Sequence, residues 1–104
     1  AFTGFTGLSV YGATKAAMVG FTRSLARSEL GKAGITVNTV APGYMQTDMS
    51  QGLQGEALET IRRRSPLGRL ASVDDAAAAV AYLLSPDAES VTGTTMTVDA
   101  GSTA

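Results

Sequence analysis

Two short runs, residues 35–41 (ITVNTVA) and 94–99 (TTMTVD), limit the possible folds more than any other feature of this chain. Both are rich in β-branched residues, whose stiff side chains favour a pleated backbone. Pro42-Gly43 ends the first run sharply, and Thr92-Gly93 makes a turn before the second. The stretch between them carries helical signals, so no tight hairpin joins them. Strands linked by a helical crossover pair in parallel, which places the chain in the α/β layer class. Parallel sheets are normally covered on both faces and have more strands than this, so one edge of the first strand is left without a neighbour. The pattern predicts part of a larger doubly wound sheet.

The remaining elements are read from spacing and punctuation. Val10, Ala13 or Ala17, Phe21, Leu25 and Ala26 recur at helical intervals, while Arg23, Arg27 and Glu29 supply polar positions. This predicts a helix from Ser9 to about Leu30, stopped by Gly31 and Gly34. A polar loop follows the first strand, then a short helix over residues 55–64, then a turn at Ser65-Pro66-Leu67-Gly68-Arg69. Ser72, followed by Asp75, has the form of an N-cap with acidic residues at the positive helix end. That helix is expected to reach about Leu84, with Ala76, Val80, Leu83 and Leu84 as its buried stripe and Pro86 just past its end. The order helix, strand, short helix, helix, strand amounts to about two strands and three helices. No internal repeat or low-complexity linker interrupts it.

Composition excludes several classes of chemistry. At 44% hydrophobic and 16% charged residues the chain is globular rather than disordered. It has no cysteine and no histidine, which removes disulfides, zinc sites built on nitrogen or sulfur, and every triad that needs His or Cys; no metal site is expected. The absence of cysteine fits a reducing, cytoplasmic location. The net charge is −1, and the densest basic run is Arg62-Arg63-Arg64, preceded by Glu56 and Glu59. That run reads as a solvated helix face, too small for nucleic-acid binding. No apolar run approaches the roughly 20 residues that span a bilayer. The start, Ala1 to Gly7, has no positive region of the signal-peptide kind and reads like the middle of a loop.

Tyr11 and Lys15 stand four apart in the first turns of the long helix and therefore share a face. An ammonium beside a phenol stabilises the phenolate, so such a phenol can protonate a carbonyl oxygen or deprotonate an alcohol. The pair alone is a weak signal, since a surface tyrosine packed on a lysine stem has the same spacing. Its context is more specific. Tyr11-Gly12-Ala13-Thr14-Lys15-Ala16-Ala17, then residues 35–43 (ITVNTVAPG), then Thr47-Asp48-Met49, follow one another in order. Pro66-Leu67-Gly68-Arg69-Leu70, Thr92-Gly93 and Val98-Asp99-Ala100-Gly101 continue the series. In order and spacing these segments resemble the short-chain dehydrogenase/reductase family across essentially the whole chain, with wording closest to the 3-oxoacyl-[acyl-carrier-protein] reductases.

The resemblance implies a Rossmann-like fold, of which residues 1–104 are the C-terminal catalytic and substrate-lid part, with the N-terminal dinucleotide-binding half absent. Tyr11 matches the catalytic acid/base, and Lys15 the lysine that supports it and hydrogen-bonds the nicotinamide ribose. Pro42 and Gly43 match the turn beside the nicotinamide. Met45 falls where the family's backbone holds the carboxamide, and Thr47 matches a hydroxyl that contacts the cofactor. Lid packing for Met45 and a plain helix cap for Thr47 are the alternatives. Residues 44–54 correspond to the mobile lid. The cofactor implied is NADP or NAD, with NADP slightly favoured by the subfamily. The substrate implied is a carbonyl compound, small or acyl-carrier-linked, typically a 3-oxoacyl thioester reduced to the 3-hydroxyacyl form. Gly12, Ala16 and Gly20 form a line of small residues on a helix that pairs subunits in the family, so a homo-oligomer, dimer or tetramer, is implied. Packing against the chain's own sheet is the alternative.

The departures bear on activity. The family's catalytic serine is expected upstream of Ala1, since Ser9, Thr3 and Thr6 are too close to Tyr11 to replace it. The glycine-rich pyrophosphate turn and the catalytic asparagine have no counterpart, Asn38 lying in a strand after Tyr11. The family's closing double glycine is here Ala100-Gly101. Two expectations follow: an NAD(P)-dependent oxidoreductase whose isolated 104-residue stretch is inactive, or a truncated, non-catalytic chain that acts by associating with itself or an intact subunit.

Overall fold

The computed structural model describes residues 9–43, 45 and 56–104. The chain falls into two compact units, one made of Ala1–Thr39 and Leu83–Met96, the other of Val40–Tyr82 and Thr97–Ala104.

In the first unit, helix α1 spans Ser9–Ala26 and ends earlier than its apolar spacing predicts. Ser28 is the reason. Its hydroxyl donates to the Leu25 carbonyl at 2.6 Å and accepts from the Leu30 N–H at 3.2 Å. One side chain thus satisfies the end of α1 and caps a separate short helix, α2 (Glu29–Lys32). The described residues therefore hold four α-helices, where about three were expected. Behind α2, Ile35 N–H bonds to Leu30 and Gly34 N–H to Gly31, with Gly34 at φ +81°, a Schellman ending that needs a residue tolerant of left-handed backbone.

The face that α1 buries also differs from expectation. Thr22 is its buried residue, 7% exposed, with Lys15, Val19, Leu25 and Ala26 half-buried around it. Val10 is 79% and Phe21 64% exposed, and Ala13 and Ala17 are exposed too. The helix has apolar residues on two sides, and periodicity alone does not choose between them.

Strand β1 covers Thr39–Pro42 and β2 covers Thr95–Val98. The expected start at residue 35 is too early, because side chains take the pairing positions that precede Thr39. Val37 N–H donates to the Thr92 hydroxyl at 3.0 Å, and the Val37 carbonyl accepts from Gly93 at 2.8 Å. The Asn38 amide donates to the Val91 carbonyl and accepts from the Thr94 N–H. Regular pairing then runs from Thr39 N–H to the Thr94 carbonyl, and reaches Gly43 N–H to the Val98 carbonyl. Both strands advance in the same sense, so the two-stranded sheet is parallel, as the crossover requires.

In the second unit, α3 spans Glu56–Arg64 and closes on Arg62, Arg63 and Arg64, cations suited to a helix C-terminus. The Arg63–Glu59 pair, at 3.8 Å and exposed, adds little. Helix α4 spans Val73–Leu83. Asp75 N–H donates to the Ser72 hydroxyl at 3.0 Å and Ser72 N–H to the Asp75 carboxylate at 2.8 Å, a reciprocal cap. These two bonds, then Arg69, hold the Asp75 carboxyl below its usual range. The expected buried stripe of α4 is corrected: Ala79 is buried, Ala76 and Leu83 are half-buried, and Val80 and Leu84 are exposed. The inward line runs through residues 76, 79 and 83, which leaves Val80 about 65° from its centre. Leu84, 82% exposed, lies beyond the end of the helix.

The chain closes on Asp99, which is 9% exposed. Its carboxylate accepts from Gly101 N–H at 2.8 Å, Thr103 N–H at 3.0 Å and the Thr103 hydroxyl. Burial pushes this carboxyl up, but the donors from Thr103, Gly101 and Ser102 outweigh it and its pKa lies below the usual value. Buried Ser65 donates to the Ala100 carbonyl at 2.7 Å. Ala100 itself sits at φ 55°, where a Cβ crowds the backbone.

Two predictions follow. A carboxyl with a depressed folded-state pKa stabilises above its unfolded value and loses that contribution as pH falls through the folded one. The thermal midpoint should therefore drop as pH is lowered below about 4, and Asp99→Asn should flatten that drop when unfolding is followed against pH. Ala100→Gly, which relieves the left-handed alanine, should raise stability by about 1 kcal/mol, read from the denaturant midpoint.

Candidate active site

Tyr11 lies in the first turn of α1, and Lys15 one turn further on. The Lys15 ammonium stands over the Tyr11 ring, 5.2 Å from its centroid, within range of a cation–π attraction. Tyr11 is 58% exposed, so the phenol is open to another molecule while a cation lies against its face. Between them, Thr14 returns its hydroxyl to the Val10 carbonyl and stays out of the pair's way. An accessible phenol with a cation against its ring can donate a hydrogen bond to a molecule that approaches this helix face, or accept one from it.

The other expected site residues belong to the second unit. Pro42 is the exposed last residue of β1. Gly43 is half-buried, and a Cβ added to it would stand 2.6 Å from the Cβ and 3.2 Å from the Cα of Asp99. The missing side chain is thus required by the chain's own closing turn, a structural reason that stands beside the one the resemblance implies. Met45 is half-buried and its backbone makes an isolated parallel bridge with Ala71. Thr47 lies outside the described residues, as do Tyr44 and residues 46–54 of the expected lid. What the structure brings together is the Tyr11–Lys15 pair.

A shallow depression of about 450 Å³ in the second unit is lined by Leu67, Arg69, Asp75, Thr97 and Asp99, among others. Arg69 pairs with Asp75 at 3.2 Å and Asp99 is engaged by the closing turn, so its charged groups are occupied. Among the described residues no group of three or more His, Cys, Asp or Glu could hold a metal ion, and no helix is long and apolar enough to cross a membrane. Asn38 has both ends of its amide on backbone groups. Sequence reasoning overlooked Thr22 and Thr39, whose hydroxyls meet inside the first unit. The available signal was Thr22 itself, a threonine on the Tyr11–Lys15 side of the helix.

The chain matches, over residues 1–103, the family model described as enoyl-(acyl carrier protein) reductase. It is 45% identical over 98 residues to the 3-oxoacyl-[acyl-carrier-protein] reductase FabG of Vibrio cholerae, covering 94% of this chain and 40% of that protein. To FabG of Haemophilus influenzae it is 48% identical over 99 residues, covering 95% and 40%. Among solved structures, a short chain dehydrogenase from Burkholderia cenocepacia in complex with NADP superposes with TM-score 0.83 at 43% identity, covering 94% of this chain and 39% of that one. A Serratia marcescens short-chain dehydrogenase/reductase mutant superposes with TM-score 0.86 at 36% identity, covering 98% and 41%. The chain thus spans about 40% of the length of the curated relatives it matches.

The contact at Gly43 yields a prediction that needs no activity. Gly43→Ala must push Asp99 aside or shift its own backbone, and should lower stability by about 1–3 kcal/mol, measured by thermal or denaturant unfolding.

Proposed function

Because this chain belongs to the short-chain dehydrogenase/reductase family, we propose that it supplies the acid/base tyrosine and its partner lysine to an NAD(P)-dependent carbonyl reductase. The observation that carries the reading is the exposed Tyr11 phenol with the Lys15 ammonium 5.2 Å from its ring centroid. A phenol and an ammonium side by side on an open helix face suit a carbonyl oxygen and the hydroxyls of a ribose. When bound, a nicotinamide cofactor supplies the hydride. Tyr11 gives its proton to the ketone oxygen, so the carbonyl becomes a secondary alcohol. Lys15 balances the phenolate that remains and donates to the ribose. Pro42, Gly43, Met45 and Thr47 complete the cofactor contacts in this reading.

The substrate class follows the named relatives: a 3-oxoacyl thioester on an acyl carrier, reduced to the 3-hydroxyacyl form. NADP is favoured over NAD, on the NADP-bound neighbour and the subfamily wording. The activity is that of the full polypeptide carrying this chain, in the cytoplasm. Association into a homo-oligomer belongs to the same reading. A Cβ at Gly12 or Gly20 would meet nothing within 4 Å among the described residues, so none of these residues requires a glycine at either position.

Tyr11→Phe in the full polypeptide should lower ketone-dependent NADPH oxidation by at least about 10²-fold, with cofactor binding retained. The two quantities are measured by steady-state kinetics and by fluorescence titration of NADPH. Near-normal turnover in this variant would overturn the assignment.

A further inference from the structure

Hydroxyls join helix α1 to the start of β1. Thr22 is the buried residue of α1. Its hydroxyl donates to the Met18 carbonyl at 2.8 Å and meets the hydroxyl of Thr39, the first residue of β1. The first bond uses the Thr22 proton, so Thr39 is the donor in the second. The result is a directed chain from Thr39 through Thr22 to the carbonyl of Met18, in which each hydroxyl proton has an acceptor. Thr14, within the Tyr11–Lys15 turn, bonds back to the Val10 carbonyl and is exposed.

Position on the helix gives this contact its consequence. At about 100° per residue, Tyr11, Lys15, Met18 and Thr22 fall within an arc of about 60°. The stripe that carries the reacting pair is therefore the stripe fixed at Thr22. Apolar contact is non-directional and would tolerate a roll of the helix about its axis, the more so as Val10 and Phe21 on the other side are exposed. A hydrogen bond weakens steeply as its angle departs from linear, and a roll of one residue step would break it. We propose that the Thr22–Thr39 pair is a rotational lock, with Thr22 and Thr39 as positioning residues that set the angle at which α1 presents Tyr11 and Lys15. This proposal rests on the reading of that pair as the reacting groups.

The test is made in the full native polypeptide with Thr22→Val, Thr39→Val, the double variant and Thr22→Ser. Amide hydrogen exchange across α1 reads the lock without reference to activity. Each valine variant should lose protection over Val19–Ala26 by about the same factor, the double variant should lose no more than either, and Thr22→Ser should keep it. In ketone reduction, kcat should fall about tenfold or more in the valine variants with the KM for the ketone unchanged, and recover in Thr22→Ser. Unchanged exchange in Thr22→Val, additive losses in the double variant, or a fall in kcat no larger than the loss of folded protein would each overturn the lock. Tyr11→Phe separates the two ideas: full turnover there sinks the reading of function, while the exchange result still decides the lock.

Discussion

The parallel ladder between β1 and β2 is the constraint from which the other features follow. Parallel strands cannot be joined by a tight turn, so the chain between them must leave the sheet and return, which it does through α3 and α4. The ladder is also closed at both ends by particular side chains. Ahead of it, Asn38 and Thr92 take up backbone groups that have no strand partner. Beyond it, Gly43 lets Asp99 approach within contact distance, and Asp99 gathers the donors of the closing turn. The strands are short because polar side chains continue the pairing where the backbone register stops.

Polar groups do much of the fastening elsewhere as well. The buried apolar residues among those described are three alanines, whereas Thr22, Ser65 and Asp99 are buried and polar. No buried side-chain nitrogen or oxygen among the described residues lacks a partner. Small alanines contribute modest hydrophobic stabilisation, and they place few demands on orientation. Directional bonds therefore join the elements: Ser28 separates α1 from α2, Ser65 ties the turn after α3 to Ala100, and Thr22 meets Thr39 at the start of β1.

For the Tyr11–Lys15 pair this division has a clear effect. The Tyr11–Lys15 relation is local, one helical turn apart, and survives wherever α1 forms. The direction in which the pair is presented is not local, and depends on what α1 packs against. Gly43 shows the converse case, since a residue matched to a cofactor contact is also indispensable to the chain's own packing.

The sequence by itself determined what is decided within a few residues. The α/β class, the parallel crossover, the Tyr11–Lys15 spacing, the Ser72–Asp75 cap and the turns at Gly68 and Gly93 were legible because helical pitch, β-branching and left-handed glycines act locally. Tertiary structure decided which of two apolar sides α1 buries, why β1 begins at Thr39, and why α4 turns Ala79 rather than Val80 inward. The first two outcomes go with partners distant in sequence, Thr22 with Thr39 and Asn38 with Thr94. Periodicity shows that a face exists, but the choice between faces belongs to the hydrogen bonds that form only once the chain has folded back on itself.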